Sequence, residues 1–222
     1  VSSVFELRPR VRRDNIALFH DYLCPWCWVG FLQAEALERE FNIAFEWIGA
    51  ELYPPELEGP PSSPGPLPPR DPHRPKDRFD LFCDDERVVF PEPRPGFVRT
   101  HRALLGAEYA RSIDTETERA WHEAIYKAYW LECADIEDIT VLRRIGQDVG
   151  LDPDALEASI ASECHAGQIL GFDNPAYAAG IRNVPTFVFG ANEQLAEANL
   201  DDLRRATERF LIRKARLRPD TL

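Results

Sequence analysis

Two cysteines, Cys24 and Cys27, stand three residues apart where one hydrophobic pattern gives way to another. Before them the continuous apolar run Ile16-Ala17-Leu18-Phe19 reads as a buried strand. After them Phe31, Leu32, Leu37 and Phe41 fall near helical spacing, which predicts a helix from about Pro25 to Phe41 with Asn42 as its stop. Cys24 then lies at the helix N-terminus, where unpaired N–H groups and the macrodipole favour an anion, the form in which a sulfur attacks. Pro25 suits the first helical position, because its missing N–H has no partner there. Two thiols on one helical turn can come within bonding distance, so Cys24-Pro25-Trp26-Cys27 is expected to work as a dithiol/disulfide couple.

The same spacing is half of a zinc site. A structural zinc takes four ligands, usually from two such pairs. Cys83, Cys133 and Cys164 are single, and His20, His73, His101, His122 and His165 are scattered, so no metal is expected.

The rest of the chain frames the couple. Ile43 to Ile48 reads as a second strand, giving β-α-β with the dithiol at the top of the first strand. From Pro54 to Pro75, ten of 22 residues are proline, which predicts an extended, stiff connection prolonged by Pro91, Pro93 and Pro95. Helical periodicity takes over from Phe97 to about His165. Thr115-Glu116-Thr117-Glu118 has the form of a capping box, Ile139 to Val149 marks a helix ended by Gly150, and Asp152-Pro153 opens another. Asn183 to Gly190 restores a strand pattern, Glu193 to Glu197 is a short partner for it, and Asn199 caps a last helix that buries Leu203, Ala206 and Phe210. Val1 to Asn15 is a polar arm in which Val4 and Phe5 could add edge contacts.

The net charge of −12 and a pI of about 4.9 give no electrostatic footprint for nucleic acid or anionic lipid, so neither is expected as a partner. No apolar run approaches a membrane span, and no signal peptide is visible, though the chain begins at Val1 and a leader could have been removed. Five cysteines, three of them apart from the pair, fit a reducing compartment, so a cytoplasmic location is expected.

Asp21-x-x-Cys24-Pro25-Trp26-Cys27-Trp28-Val29-Gly30, the helical stretch, and Asn183-Val184-Pro185-Thr186-Phe187 far downstream together resemble the DsbA-like branch of the thioredoxin superfamily, and within it the FrnE-type disulfide oxidoreductases. The resemblance implies an α/β thioredoxin fold, a mixed central sheet carrying an inserted all-helical domain. Residues 1–56 and 167–222 would form the thioredoxin-like domain, and 57–166 the insertion, a Pro-rich loop followed by a helical subdomain. It also implies a cis-Pro185 packed on the dithiol, a substrate-pairing Val184, an exposed attacking Cys24 and a buried resolving Cys27. Gly190 to Leu195 departs from the family by lacking its usual Gly-Ala-Gln-like turn.

The function implied is thiol-disulfide exchange with protein or peptide thiols, with no cofactor beyond the cysteine pair and glutathione as a candidate co-substrate. Cys27 needs a base. Asp21, one turn before the motif, is the first candidate and His20 the second. Trp26, Trp28 and Tyr22 would ring the site with apolar surface, core packing being the alternative for Trp28. The rival reading is a glutathione-dependent transferase or isomerase of the kappa or 2-hydroxychromene-2-carboxylate isomerase type. Those proteins typically carry Ser at the position of Cys24 and no resolving Cys.

Overall fold

A computed structural model describes residues 10–171, 176, 180–190 and 193–217 of the chain. The proposed edge contacts of Val4 and Phe5 lie outside the described residues. Five strands form one mixed sheet in the order β3-β2-β1-β4-β5. The strands are β1 (Ile16–His20), β2 (Glu46–Glu51), β3 (Leu170–Gly171), β4 (Thr186–Phe189) and β5 (Glu193–Ala196). The β1–β2 and β2–β3 pairs are parallel, and β1–β4 and β4–β5 are antiparallel. Helix α1 (Pro25–Phe41) is the crossover between β1 and β2, which the parallel pairing of those strands demands. It ends as expected at Asn42, in the left-handed conformation.

β1 is buried along its whole length, which explains why it reads as an unbroken apolar run rather than an alternation. The short hairpin β4–β5 forms despite the departure at Gly190, whose φ of +66° supplies the turn. The two-residue β3 is not visible in the sequence. Its two residues pair only at Ala50↔Leu170 and Glu51↔Gly171, too short a stretch for a periodic signal.

The predicted helical block is α3 (His101–Ile113), α4 (Thr115–Glu132), α5 (Ile139–Asp148) and α6 (Pro153–Ser162). It covers the sheet face that Trp47, Gly49 and Glu51 of β2 share: Trp47 stacks on His122, and a Cβ at Gly49 would lie 3.0 Å from Leu104. Gly106 of α3 is required in the same sense, since a Cβ there would lie 2.3 Å from the Trp121 ring. The last helix, α7 (Leu200–Leu217), buries Leu203, Ala206 and Phe210 as expected.

Three local expectations are corrected. The cap of α4 is Asp114, whose carboxylate accepts the Thr117 N–H at 2.7 Å, and Thr115 is already the first helical residue. The block starts at His101 rather than Phe97, because the Phe97 carbonyl is taken by the Ser63 N–H at 2.8 Å. That bond belongs to an extended pairing of the two proline-rich stretches, with Leu67 N–H to Arg94 O and Gly96 N–H to Gly65 O beside it. Between those stretches lies a helix that the proline density hides, α2 (Arg78–Glu86). Its N-cap Asp77 and Asp80 form a reciprocal capping box.

Candidate active site

The turn from β1 to α1 builds the dithiol. Cys24 donates its backbone N–H to Asp21 O at 3.3 Å, and its own carbonyl accepts from Cys27 N (2.9 Å) and Trp28 N (3.2 Å). Cys24 is the N-cap residue of α1, in extended conformation, with Pro25 as the first helical residue. Its sulfur therefore stands at the open end of the helix. It donates to the Val184 carbonyl at 3.5 Å.

The Val184–Pro185 bond is cis. A Cβ at Gly30 would lie 2.9 Å from Pro185 Cβ and Cγ, so the absence of a side chain lets the proline ring rest on α1 one turn after the dithiol. The loop is tied down on its other side by Glu197 N–H to Pro185 O (3.0 Å) and Thr186 Oγ1 to Asn183 O (2.6 Å). This loop also corrects an expectation: Cys24, expected to be exposed, is only 6% exposed, with Val184 O set against its sulfur.

Cys27 is 1% exposed, beside Cys24, and its sulfur accepts the Asp21 N–H at 3.5 Å. Burial, followed by the adjacent Cys24, pushes the Cys27 thiol well above its ordinary range. Asp21 is fully buried. Its Oδ1 accepts from Leu23 N (3.3 Å) and its Oδ2 from Leu52 N (2.7 Å), yet burial raises the carboxyl from 3.8 to about 7 against those bonds, and the charge of Glu51 adds to the rise. A carboxyl titrating near neutrality can both take and return a proton there.

His20, the second candidate base, is held elsewhere. Its Nδ1 is 2.9 Å from Tyr126 Oη, and burial, followed by His122 and Arg10, keeps it well below its ordinary value. The apolar ring expected around the site divides. Tyr22 and Trp28 are core residues, Tyr22 bonded to His122 Nδ1 at 2.7 Å and Trp28 packed beside Phe31 and Tyr126. Trp28 thus follows its core-packing alternative: it shares a helix face with Phe31 and is 5% exposed. Trp26 is only partly buried and turns toward α2, against Phe79 (5.1 Å) and Phe82 (4.8 Å), with the Arg78 guanidinium over its ring.

Sequence reasoning missed this cover and the bonded pair Glu51 with His101, whose carboxylate charge acts on Asp21. The signal that could have found α2 is the Asp77-x-x-Asp80 capping pattern. Cys83, Cys133 and Cys164 are free and lie on α2, at the end of α4 and after α6 respectively. Among the described residues no group of three His, Cys, Asp or Glu side chains is placed to hold a metal ion, and no described helix is long and apolar enough to cross a membrane.

A parallel β-α-β unit, an antiparallel β-β-α unit, a dithiol on the first helix and a cis-proline opposite it define a thioredoxin-fold protein. Residues 15–208 match the DSBA-like thioredoxin domain, and the chain belongs to that family of disulfide oxidoreductases. Solved structures show the same fold at low identity. A probable DsbA oxidoreductase of Streptomyces coelicolor, SCO1869, is 16% identical with a TM-score of 0.68, covering 94% of this chain and 93% of that one. A 2-hydroxychromene-2-carboxylate isomerase is 16% identical with a TM-score of 0.64, covering 92% and 99%. The cytosolic disulfide reductase DsbM of Pseudomonas aeruginosa is 18% identical with a TM-score of 0.61, covering 92% and 100%, and it has also been solved with GSH.

Proposed function

We propose that the chain exchanges disulfides with protein or peptide thiols through Cys24 and Cys27, in the manner of the FrnE-type branch. The observation that carries this is the Cys24 sulfur at the open end of α1, 3.5 Å from the carbonyl that precedes the cis-proline. Cys24 attacks a substrate disulfide, releasing one substrate sulfur as a thiolate and forming a mixed disulfide with the other. Asp21 takes the proton of Cys27. The Cys27 thiolate attacks the Cys24 sulfur, the Cys24–Cys27 disulfide forms, and the second substrate sulfur leaves with the electron pair of the broken bond. In the opposite direction a substrate thiolate attacks oxidised Cys24 and the same steps run in reverse. Val184 and Pro185 border the attacked sulfur, and Trp26 presents the remaining apolar surface. A cytoplasmic setting belongs to this proposal, supported by three cysteines that stand apart from the pair.

The test is trapping. Cys27→Ser should accumulate mixed disulfides through Cys24 when offered reducible protein or peptide substrates, detected by non-reducing electrophoresis and intact mass. If Cys27→Ser forms none with any of them, the reading is wrong.

The second reading, a glutathione-dependent transferase or isomerase, is supported by the likeness to the isomerase and by the small exposure of Cys24, 6%. The presence of Cys27 beside Cys24 weighs against it. Insulin reduction beside glutathione conjugation separates the two: turnover of insulin disulfides with no conjugation supports exchange, and the converse supports the transferase.

A further inference from the structure

We propose that Glu51 and His101 form the route by which the proton taken from Cys27 leaves the protein interior: Asp21 passes it to Glu51, and Glu51 passes it to His101, whose ring reaches solvent. This rests on the assignment of Asp21 as the base for Cys27.

Asp21 has no exit of its own. It is fully buried, and both of its oxygens accept backbone N–H groups. One of those donors is Leu52 N, so the Glu51–Leu52 peptide lies directly against the Asp21 carboxylate. On the other side the Thr100 hydroxyl faces Asp21, and Thr100 is the N-cap residue of α3, immediately before His101. Two chain junctions, 51–52 and 100–101, thus meet at the Asp21 carboxylate, and the charge of Glu51 acts on it. Glu51 and His101 are joined across them, Oε2 to Nδ1, at 2.8 Å.

Glu51 is an unusual residue to bury. It is 1% exposed, and its Oε1 has no hydrogen-bond partner among the described residues. An unpaired carboxylate oxygen in the interior costs free energy and calls for an explanation. A group that alternates between protonated and ionised forms supplies one, with Oε1 the oxygen left free of any other bond among the described residues. Half-buried His101, with 18% of its side chain exposed, connects the pair to water. The charged groups around the route are few. Arg99 and Glu56 face Glu51, Glu56 and Glu163 face His101, and Glu51 itself faces Asp21. Burial raises Glu51, while its bond to His101 pulls it back; burial lowers His101, and the same bond and charge lift it above its ordinary value.

The step balances as follows. Cys27 loses its proton to Asp21, attacks Cys24 and displaces a substrate thiolate. The proton passes from Asp21 through Glu51 and His101 to water, and the departing thiolate takes one from solvent. When the couple is reduced again, the proton travels inward along the same groups.

The experiment uses the reduced full chain with Cys133→Ser and Cys164→Ser, mixed in stopped flow with one equivalent of 5,5′-dithiobis(2-nitrobenzoate). Attack by Cys24 releases the first thionitrobenzoate, and resolution by Cys27 releases the second. Glu51→Gln should slow the second release about tenfold relative to the first, less than the roughly 10²-fold or more carried by a direct general base. It should also move the pH midpoint of the second release downward, because a charge that disfavours ionisation of Asp21 is gone. His101→Gln should slow the second release similarly, and imidazole in the buffer should restore it, which no merely structural role would do. Should Glu51→Gln fail to fold, His101→Gln with imidazole decides alone. Second releases in both variants that match the parent in rate and pH profile overturn the route. Asp21→Asn separates the two assignments: if it slows the second release while Glu51→Gln and His101→Gln do not, only the exit route fails, and if it too has no effect, the base assignment fails.

Discussion

Replacing Asp21 by Asn should change the pH dependence of stability in a direction fixed by the site. The carboxyl has no exposed surface and titrates at about 7 in the fold against an ordinary value of 3.8. Its folded value is raised, so its contribution to stability is fully present below 3.8 and is lost as pH climbs through about 7. Integrating the linkage between pH ~4.5 and ~8.5 gives a loss of about 3 kcal/mol from this one group. Asn does not titrate, so it escapes that loss. It also presents an amide to one of the two backbone N–H groups that the carboxylate accepts, a mismatch of about 1–3 kcal/mol. That offset is independent of pH and cancels when two pH values are compared. Denaturant unfolding of the reduced protein, under a constant excess of phosphine, should therefore show Asp21→Asn gaining about 3 kcal/mol on the parent from pH ~4.5 to ~8.5, whatever its position at either end. Glu51 enters as a correction, since it loses a neighbouring charge in the variant. A difference between variant and parent that stays flat over that range would falsify the claim that a buried, neutral-titrating carboxyl lies under Cys27.

Two further outcomes follow from packing. Gly30→Ala places a Cβ 2.9 Å from the Pro185 ring, and because that loop is also held by Glu197 N–H it cannot retreat freely; the variant should lose about 1–3 kcal/mol in denaturant unfolding and slow insulin reduction, and unchanged kinetics would separate the proline from the exchange step. Arg10 bridges Glu46 and Glu108 and also donates to the Trp47 carbonyl, with 7% of its side chain exposed; Arg10→Ala leaves buried Glu108 with only the longer Arg111 contact and should cost about 3–5 kcal/mol at pH 7, read by thermal or chemical unfolding, with a smaller loss at more acidic pH, because burial raises Glu108 and favours its neutral form.

What the sequence discloses here follows the distance over which a feature is determined. The couple Cys24-Pro25-Trp26-Cys27 is legible because its geometry is local: a strand, a turn of three residues and a helix start fix where both sulfurs point. Trp28 is legible too, since residues three apart on a helix share a face and its phase with Phe31 assigns it to the core. Helix α2 hides behind prolines on both sides, although Asp77 and Asp80 mark its start. Arg10 lies in what reads as a polar arm, and only the folded chain shows that Glu46 and Glu108, 36 and 98 residues away, enclose it.

Glu51 is the most instructive of these. The apolar run Ile43 to Ile48 reads as the strand, which leaves Glu51 beyond its end; β2 instead runs Glu46–Glu51 and buries Glu51 at its last position. What buries Glu51 is α3, delivered by a chain that has meanwhile run through the whole proline-rich excursion: His101 is 50 residues away, and Leu52 meets Asp21 across 31. The two sulfurs are therefore governed on different scales. The helix-end position of Cys24 is written within a few residues of it, in Pro25 and the helix start, and only the Val184 carbonyl comes to its sulfur from far along the chain. The proton of Cys27 is handled by groups from the turn after β1, the end of β2 and the beginning of α3. On this reading attack and resolution can be altered separately: substitutions between the cysteines act on the first step, and substitutions at the junctions near residues 51 and 101 act on the second.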